Sequence, residues 1–377
     1  EYTPKLVDYS KRIKREEEKS ANKIKEIEKL EDLQEKASKY PNYSYGWFKA
    51  LLELEIINSA ENNSNSREIS ISFAKVERDK GTPRTLILKH PNRYIPQTIE
   101  DLSDITLTLK LDDDSTVNAV IEVMNVKSYT LYTKIKDIEK IDIILNKVVE
   151  ARIDAKNPVF LLEELKSQFI QLGYDDNYDM QKNLTENIDF IFGPPGTGKT
   201  TYLAEKVIIP FVRNNDNLKI LVLAPTNKAA DVLTSRIIEK MGNDNSYEDW
   251  LIRFGVTNDD KLESSPIYHD RNYDIRQNNK SVIITTIARF PYDYFMTDKE
   301  RIHLQLFDWD YIVIDEASMI PLINIIYPLY KKKPDKFIIA GDPLQIEPIT
   351  AIDLWKDENI YKVCFFCIFG SFLFHFP

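Results

Sequence analysis

The sequence predicts an α/β protein: a parallel sheet covered by helices fills the C-terminal half, and a helical region and a small β-domain precede it. From about residue 184, apolar runs of strand length alternate with loops and helical patterns, as in a parallel sheet that is buried on both faces. From 67 to about 136, short runs rich in Ile, Thr and Val are separated by turn residues, which indicates a small barrel or sandwich.

The composition is that of an ordinary globular chain. Its 377 residues allow two or three domains, and contents of 43% hydrophobic and 29% charged residues are typical of soluble proteins. No secretory signal and no apolar run of about 18 residues occurs, so we expect no membrane association and a cytoplasmic location. The net charge of −10 argues against a surface that is basic throughout, but it is compatible with one basic groove.

The chain has only two cysteines, Cys364 and Cys367. They exclude a disulfide framework and favour a reducing compartment. Their C-x-x-C spacing would need further ligands to hold zinc, and His375 is the only nearby candidate. We therefore give metal or redox chemistry little weight there.

Residues 1–66 are predicted to form a helical, stalk-like region. Up to about residue 38, Lys, Arg and Glu dominate around a drifting apolar stripe, which indicates a solvated helix packed on a narrow surface. A second helix, Trp47–Ile57, follows the break at Pro41-Asn42. The polar stretch 61–66 then marks the first domain boundary.

The next region, 67–136, is predicted to be the small β-barrel. Its strands are Ile69–Phe73, Thr85–Leu88, Ile105–Leu109 and Val120–Val123. Beyond it, apolar residues from Ile138 to Ile153 predict a long helix, and another helix resumes after Asn157-Pro158. Residues 137–183 are therefore predicted to be stalk helices and a linker.

The α/β domain is predicted over 184–362, and an atypical apolar tail follows over 363–377. Its strands are Ile188–Phe192, Lys219–Leu223, Val282–Thr285, Tyr311–Ile314 and Phe337–Ala340. Ligands of such sheets bind beyond the carboxyl ends of the strands. The polar residues of interest all fall at those ends.

The first of these strands leads into a phosphate-binding loop. Residues 193–200 satisfy G-x-x-x-x-G-K-[ST], in which glycines let backbone N–H groups approach phosphate oxygens. Lys199 would supply charge to the β- and γ-phosphates, and Thr200 a hydroxyl ligand to Mg²⁺. We expect the nucleotide to contact Gly193, Pro194, Pro195, Gly196, Thr197, Gly198, Lys199, Thr200 and Thr201. An ordinary glycine-rich turn is the alternative, and the flanking strand and helix patterns argue against it.

Two carboxylates, Asp315 and Glu316, directly follow the strand Tyr311–Ile314. Beside a phosphate loop, Asp315 is suited to hold Mg²⁺ and Glu316 to polarise the attacking water. The alternative is that Asp315 caps a helix and Glu316 complements its dipole. Gln345, in the turn after the next strand, could sense a γ-phosphate or orient water, although such a turn is otherwise structural.

Two further strand ends carry residues suited to a nucleic-acid backbone. Pro225, Thr226 and Asn227 begin a helix after one strand, and Thr285 and Thr286 close another. A helix N-terminus with a nearby lysine suits a phosphate. Thr226 or Asn227 would equally serve as an ordinary helix cap.

Taken together and in this order, residues 193–200, 224–230, 315–318 and 341–345 resemble the first RecA-like domain of superfamily 1 helicases, in the group related to the nonsense-mediated-decay helicase. In that family a helical stalk and a small β-barrel precede this domain. The resemblance implies an ATP-driven motor that uses Mg²⁺ and moves along single-stranded DNA or RNA. It assigns nucleotide roles to Lys199, Thr200, Asp315, Glu316 and Gln345, and strand contacts to Pro225, Thr226, Asn227, Thr285 and Thr286.

The sequence departs from that family pattern in two ways, and its C-terminal end is unusual. The family reads adenine through a glutamine ahead of the loop, and Gln181 is the nearest match, with poorly fitting surroundings. After Gln345 too few residues remain for a second RecA-like domain of on the order of 100 to 150 residues. The tail from Val363 carries six phenylalanines and no Asp, Glu, Lys or Arg, which suggests truncation or disruption of a longer product.

We therefore expect a partial motor with weak or absent hydrolysis alone. Its arginines for transition-state charge would lie in a second domain, which a partner protein could supply. Two alternatives remain open: a non-enzymatic, nucleotide-dependent binding module, and a P-loop signalling ATPase. The absent second domain favours the former, whereas the Gln345 motif and the β-barrel argue against the latter.

Overall fold

The computed structural model describes residues 32, 35, 37–62, 68–79, 81, 84–90, 105–127, 129–135, 143–156, 159–194, 196–257, 259–297, 300–342, 358–365 and 374–375. The predicted N-terminal helix up to residue 31, Pro195, Gln345 and most of the C-terminal tail lie outside these ranges. Among the helices within them, none combines the length and the apolarity needed to cross a membrane.

An antiparallel sheet lies between two helices in the first part of the chain. Helix α1 spans Tyr45–Asn62 and helix α2 spans Val159–Ile170. Between them lie β1 (Glu68–Phe73), β2 (Lys75–Arg78), β3 (Thr85–Lys89), β4 (Ile105–Leu111), β5 (Thr116–Lys127), β6 (Thr130–Ile135) and β7 (Val148–Lys156). They pair in the order β1-β7-β4-β5-β6-β3-β2. The four predicted strands are present, whereas closure into a barrel stays a prediction.

The long helix predicted from Ile138 to Ile153 is wrong from residue 148 onwards, because residues 148–156 form β7 between β1 and β4. Residues 138–142 of the predicted helix lie outside the described residues. Ala151 and Ile153 are buried, and Arg152 between them is exposed. The apolar positions thus repeat every two residues, as in a strand with one buried face. The sheet therefore extends beyond residue 136, where the sequence places the end of the β-domain.

A parallel sheet forms the second part. The strands after α2 are β8 (Ile188–Phe192), β9 (Leu218–Ala224), β10 (Leu251–Phe254), β11 (Tyr268–His269), β12 (Lys280–Thr286), β13 (Tyr294–Met296), β14 (Arg301–His303), β15 (Tyr311–Ile314), β16 (Lys336–Gly341) and β17 (Phe374–His375). Strands β13 and β14 form a separate hairpin, and the others pair in parallel in the order β11-β10-β12-β9-β15-β16-β8-β17. All five predicted strands are confirmed.

Helices cover both faces of this sheet. Helix α3 has three consecutive segments, Lys199–Tyr202, Leu203–Ile208 and Ile209–Asn214, of which the middle one is π-helical. Helices α4 (Asn227–Met241), α5 (Asp260–Glu263), α6 (Leu322–Lys331) and α7 (Ile360–Phe365) follow.

The strand residues divide between two hydrophobic clusters according to the face on which they lie. Phe190 of β8 belongs to the cluster that includes residues of α1, α2 and α6. Its neighbour Ile191 belongs to the cluster formed with α3 and α4. The alternation follows from the two-residue period of a strand. Helices α1 and α2 therefore share a core with the parallel sheet instead of standing apart from it.

Candidate nucleotide and nucleic-acid site

The phosphate loop joins the end of β8 to the start of α3. Gly196 has φ 81° and Gly198 has φ 89°, in the left-handed region that side chains disfavour. The loop is tied to the neighbouring strand, since Gly193 N–H donates a hydrogen bond to Gly341 O at 3.3 Å. The two glycines and this tether set the curvature that lets backbone N–H groups face a phosphate.

Lys199, the first residue of α3, lies inside the loop. Its side chain is 4% exposed. The ammonium donates to Gly193 O at 2.8 Å and to Pro194 O at 3.4 Å. It also lies 4.0 Å from Glu316 Oε2. A buried cation therefore stands between the loop and the carboxylate pair.

Asp315 and Glu316 follow β15, and they differ in environment. Asp315 is 1% exposed. Burial, reinforced by the charge of Glu316, raises the pKa of Asp315 to about 7, while a hydrogen bond from Glu316 N–H and the charge of Lys199 oppose the rise. A carboxylate with this environment gains from a nearby cation, which is the requirement of a metal ligand.

Glu316 has φ 48°, which is uncommon for a residue with a side chain and costs on the order of 1–3 kcal/mol. Its Oε2 is buried and has no hydrogen-bond partner among the described residues. Strain and an unsatisfied acceptor at one residue indicate that the surroundings hold this carboxylate for a function.

The donor set fits a magnesium-bound nucleotide. Lys199 and Thr200 open α3, and Asp315 provides a buried carboxylate oxygen, the kind of ligand that Mg²⁺ prefers. The predicted contacts Pro194, Gly196, Thr197 and Gly198 are exposed, where a ligand can reach them. Gly193 is buried, and Thr200 and Thr201 are half-buried. The roles of Pro195 and Gln345, outside the described residues, stay predictions.

Gln181, the candidate adenine reader, contacts the C-terminal helix α7. Its Nε2 donates a hydrogen bond to Val363 O at 2.9 Å. Part of its hydrogen-bonding capacity is therefore already used within the protein, and its role in reading adenine stays a prediction.

The five residues predicted to contact a nucleic-acid strand do come together. They lie at the carboxyl ends of the paired strands β9 and β12, where Thr286 pairs with Ala224. Their exposure differs: Thr226 is exposed, Pro225 is half-buried, and Asn227, Thr285 and Thr286 are buried.

Two of these five side chains make hydrogen bonds within the protein, and a third is buried without one. Thr226 Oγ1 caps helix α4 by accepting from Ala229 N–H at 3.2 Å. Asn227 Oδ1 accepts from Arg253 Nη2 at 3.2 Å. Thr285 Oγ1 is buried without a hydrogen-bond partner in the described chain. The helix-cap alternative thus holds for Thr226, and strand contacts by these residues stay a prediction.

Sequence reasoning misses the buried ion pair that supports this edge. Arg253 of β10 is fully buried and donates to Asp231 Oδ1 of α4 at 2.7 Å. It also donates to the carbonyl of Phe254 at 2.8 Å. An arginine in a four-residue apolar run gives no sign of burial, because its partner lies 22 residues away.

A cavity of about 700 Å³ separates the antiparallel sheet from the carboxyl ends of β10 and β11. Its basic lining residues are Arg84, Lys134, Arg271, Arg289 and Arg301. Several of them are already paired: Arg271 and Arg289 both bind Asp293, at 2.6 and 2.7 Å, and Lys134 contacts Asp260 and Glu263. The exposed Arg301 lies over the Tyr294 ring, 5.0 Å from its centre, and Arg271 lies over the same ring at 4.7 Å.

Comparison with known proteins points to one family. Residues 178–351 match the family model described as an AAA domain. RecBCD enzyme subunit RecD of Buchnera aphidicola is 33% identical over 189 residues, which is 48% of this chain and 27% of that protein. The DNA replication ATP-dependent helicase/nuclease DNA2 of Saccharomyces cerevisiae is 27% identical over 235 residues, 59% of this chain and 14% of that protein.

The RNA helicase Mov10l1 of Mus musculus is 29% identical over 168 residues, 42% of this chain and 13% of that protein. The chain thus spans about a quarter or less of the length of these relatives. Among solved structures, an arterivirus nonstructural protein 10 (helicase) superposes with a TM-score of 0.33 at 9% identity, over 85% of this chain and 54% of that chain; so low a score adds nothing to the assignment.

The matched segment contains the phosphate loop, the carboxylate pair and the strand ends described above. Relatives named as helicases align with this chain in yeast and mouse, and a RecBCD enzyme subunit aligns with it in a bacterium. The P-loop domain of this chain is similar to the corresponding part of these proteins, and the matches support a superfamily 1 helicase in the group related to Mov10 and the nonsense-mediated-decay helicase.

Proposed function

We propose that this chain is the ATP-binding part of a helicase or translocase that acts on single-stranded DNA or RNA. The observation that carries the proposal is the arrangement of Lys199 between the phosphate loop and Glu316, with Asp315 buried beside them. A cation for phosphate, a ligand for Mg²⁺ and a base for water are the parts that ATP hydrolysis needs. They meet at one edge of the sheet.

Each residue of the site has a separate proposed role, which follows from its position. The backbone of the loop and Lys199 bind and orient the phosphates, and Thr200 and Asp315 would hold the hydrated metal. Bound Mg²⁺ supplies charge that offsets the negative charge of the phosphates. Glu316, next to Lys199 and held in a strained conformation, accepts a proton from the attacking water. The alternative of a non-enzymatic binding module predicts binding without this last step.

Replacing Glu316 by glutamine separates these functions. Glu316→Gln keeps the size of the side chain but removes the base, so we expect MgATP affinity within about threefold of wild type and hydrolysis slower by at least about 100-fold. Single-turnover hydrolysis with protein in excess over radiolabelled MgATP measures the rate even where turnover is slow. Glu239→Gln, an exposed glutamate on α4, is the matched control. Equal rates in Glu316→Gln and wild type would refute the assignment of the base.

A further domain that supplies arginines to this site is proposed to stimulate hydrolysis. Arginines supplied by such a domain accelerate phosphoryl transfer by about 10³ to 10⁵. The proposal therefore expects slow hydrolysis by this chain and a large increase when that domain is added. Binding without hydrolysis, even with the domain present, would favour the non-enzymatic module.

Single-stranded nucleic acid is proposed to pass the cavity between the two sheets. The support is the excess of basic side chains in its lining, five against the two carboxylates Glu263 and Asp270, on a protein of net charge −10. Arg301 and Tyr294 add a charge and an aromatic ring at one wall. Phosphates bind such cations, and bases stack on aromatic rings.

Arg301→Ala should weaken binding of single-stranded DNA and RNA about tenfold, whatever the base sequence. The salt dependence of log affinity should fall by roughly 0.7, because the variant neutralises one phosphate fewer. Fluorescence anisotropy of labelled dT and rU oligonucleotides at several salt concentrations measures both. Arg236→Ala, a partly exposed arginine on α4, is the control and should match wild type. An unchanged salt slope in Arg301→Ala would exclude this path.

A further inference from the structure

Tyr361, on the short helix α7, reaches the edge of the sheet where the nucleotide residues meet. It is 4% exposed, and its ring lies 5.8 Å from that of Phe190 and 5.4 Å from that of Phe192. Both phenylalanines belong to β8, which ends at the phosphate loop. Helix α7 is further held by the hydrogen bond from Gln181 to Val363.

The Tyr361 hydroxyl lies against the end of β16. A Cβ atom added at Gly341 would fall far inside van der Waals contact with this oxygen, and within 3.2 Å of the backbone nitrogens of Ala317 and Ser318. Gly341 thus leaves the space that the phenol occupies. The same glycine accepts the hydrogen bond from Gly193 of the loop.

Two buried polar atoms at this place lack hydrogen-bond partners among the described residues: the Tyr361 hydroxyl and Glu316 Oε2. Buried polar atoms are nearly always hydrogen-bonded in native proteins. One of the two is a donor and the other an acceptor. Burial, together with the charges of Glu316 and Asp315, raises the pKa of the Tyr361 hydroxyl, so the phenol keeps its proton.

The position of Lys199 gives a reason for Glu316 to need a second group that stabilises its carboxylate. In the structure the ammonium lies 4.0 Å from Glu316 Oε2 and is held by the carbonyl oxygens of the loop. A bound nucleotide draws this cation towards its phosphates. Glu316 then loses the Lys199 ammonium as a neighbour at the stage when its orientation matters most.

We propose that Tyr361 is a positioning residue: its hydroxyl donates a hydrogen bond, directly or through one water, to the Glu316 carboxylate when nucleotide is bound. This inference rests on the proposed hydrolytic function of the site. It adds a residue from outside the matched segment 178–351, and it makes the seating of α7 a condition for hydrolysis. Misplacing a catalytic group by a small distance slows a reaction strongly, with little effect on binding.

Tyr361→Phe keeps the ring and removes only the hydroxyl. We expect affinity for a non-hydrolysable ATP analogue with Mg²⁺ within about twofold of wild type, and single-turnover hydrolysis about tenfold slower. In a Glu316→Gln background the same change should slow the reaction no further, because the group that it positions is gone. A purely structural role would lower affinity and rate together, or would act equally in both backgrounds.

Tyr327→Phe is the matched control, since Tyr327 is a fully buried tyrosine on α6 whose hydroxyl donates to Gln305. It should leave the hydrolysis rate within about twofold of wild type, because this hydroxyl does not face the nucleotide residues. The location of the phenol is tested without nucleotide. Gly341→Ala should lower the melting temperature, because the added methyl group meets the Tyr361 hydroxyl. Adding Tyr361→Phe removes that hydroxyl and should recover part of the loss.

The outcomes separate this inference from the proposed function. Normal hydrolysis by Tyr361→Phe, or an equal further loss in the Glu316→Gln background, overturns the role of Tyr361 alone. No recovery in the Gly341→Ala pair overturns its placement. Failure of wild type to bind or hydrolyse MgATP overturns the proposed function, and the role of Tyr361 with it.

Discussion

Lys199→Ala is expected to weaken MgATP binding about 1,000-fold. The ammonium is buried between the loop carbonyl oxygens and Glu316, so the variant removes a positive charge from the inside of the loop. Truncating one partner of a buried, hydrogen-bonded charge pair costs about 2–5 kcal/mol, and about 4.1 kcal/mol corresponds to roughly 1,000-fold. Isothermal titration calorimetry, or displacement of a fluorescent ATP analogue, measures the change.

The control for this variant lies on the same helix. Lys206 is a lysine of α3 with a 60% exposed side chain, paired with Glu205. Lys206→Ala should keep the wild-type affinity, because the pair is solvated and contributes little. Circular dichroism should show both variants folded. If Lys199→Ala binds MgATP as tightly as wild type, the loop does not hold the phosphates, and the proposed function fails with it.

Asp315→Asn is expected to stabilise the nucleotide-free protein against unfolding. The same change should abolish the additional stability that nucleotide gives in the presence of Mg²⁺. Asp315 is 1% exposed and its pKa rises from 3.8 to about 7. At about 1.36 kcal/mol per pKa unit, keeping this carboxylate ionised above pH 7 costs up to about 4 kcal/mol of folding free energy. The neutral amide avoids that cost, but it cannot replace a carboxylate beside Mg²⁺.

The pH dependence follows from the direction of this shift. Because the folded-state pKa lies above the unfolded value, the folded state binds the proton more tightly between about pH 4 and about pH 7. The contribution of Asp315 to stability is therefore full at low pH and is lost as the pH rises through about 7. The free energy of unfolding of Asp315→Asn should exceed that of wild type by an amount that grows from about pH 5 to about pH 8.

Denaturant unfolding at several pH values, with and without Mg²⁺ and nucleotide, measures both effects. Asp335→Asn is a suitable control, since this aspartate at the turn before β16 is exposed. It should change neither the stability nor the response to Mg²⁺ appreciably. A destabilised Asp315→Asn protein that still responds to Mg²⁺ would show that Asp315 serves packing and not the metal.

A stability cost at Asp315 and a strained backbone at Glu316 have one explanation. Functional sites keep groups that are unfavourable in the free protein and become favourable when a ligand arrives. In the proposed site, the buried Asp315 carboxylate would gain from a bound cation and the unsatisfied Glu316 Oε2 from a hydrogen-bond donor. The adjacent strands β15 and β16, paired over four residues, keep both in place.

The sequence by itself determined the parallel sheet and the phosphate loop. Continuous apolar runs such as Tyr311–Ile314 and Phe337–Ala340 carry strand signals that need no partner to be recognised. The glycines of the loop are demanded by local backbone angles, as the left-handed Gly196 and Gly198 show. Because parallel strands end at one edge, the sequence also places Lys199, Asp315 and Glu316 at the same edge of the sheet. The order β15-β16-β8 in the folded sheet then brings them together.

The tertiary structure decided the features that depend on contacts between residues far apart in the sequence. The sequence pattern of β7 wrongly predicts a helix, because its period of two emerges only against β1 and β4. Arg253 is buried because Asp231 neutralises it from another element. Tyr361 becomes a candidate for the site because Gly341 leaves room for its hydroxyl 20 residues earlier in the chain. The local sequence pattern determines the backbone conformation of strands and turns. Which side chains are buried, and which charges are paired, depends on residues that come together only when the chain folds.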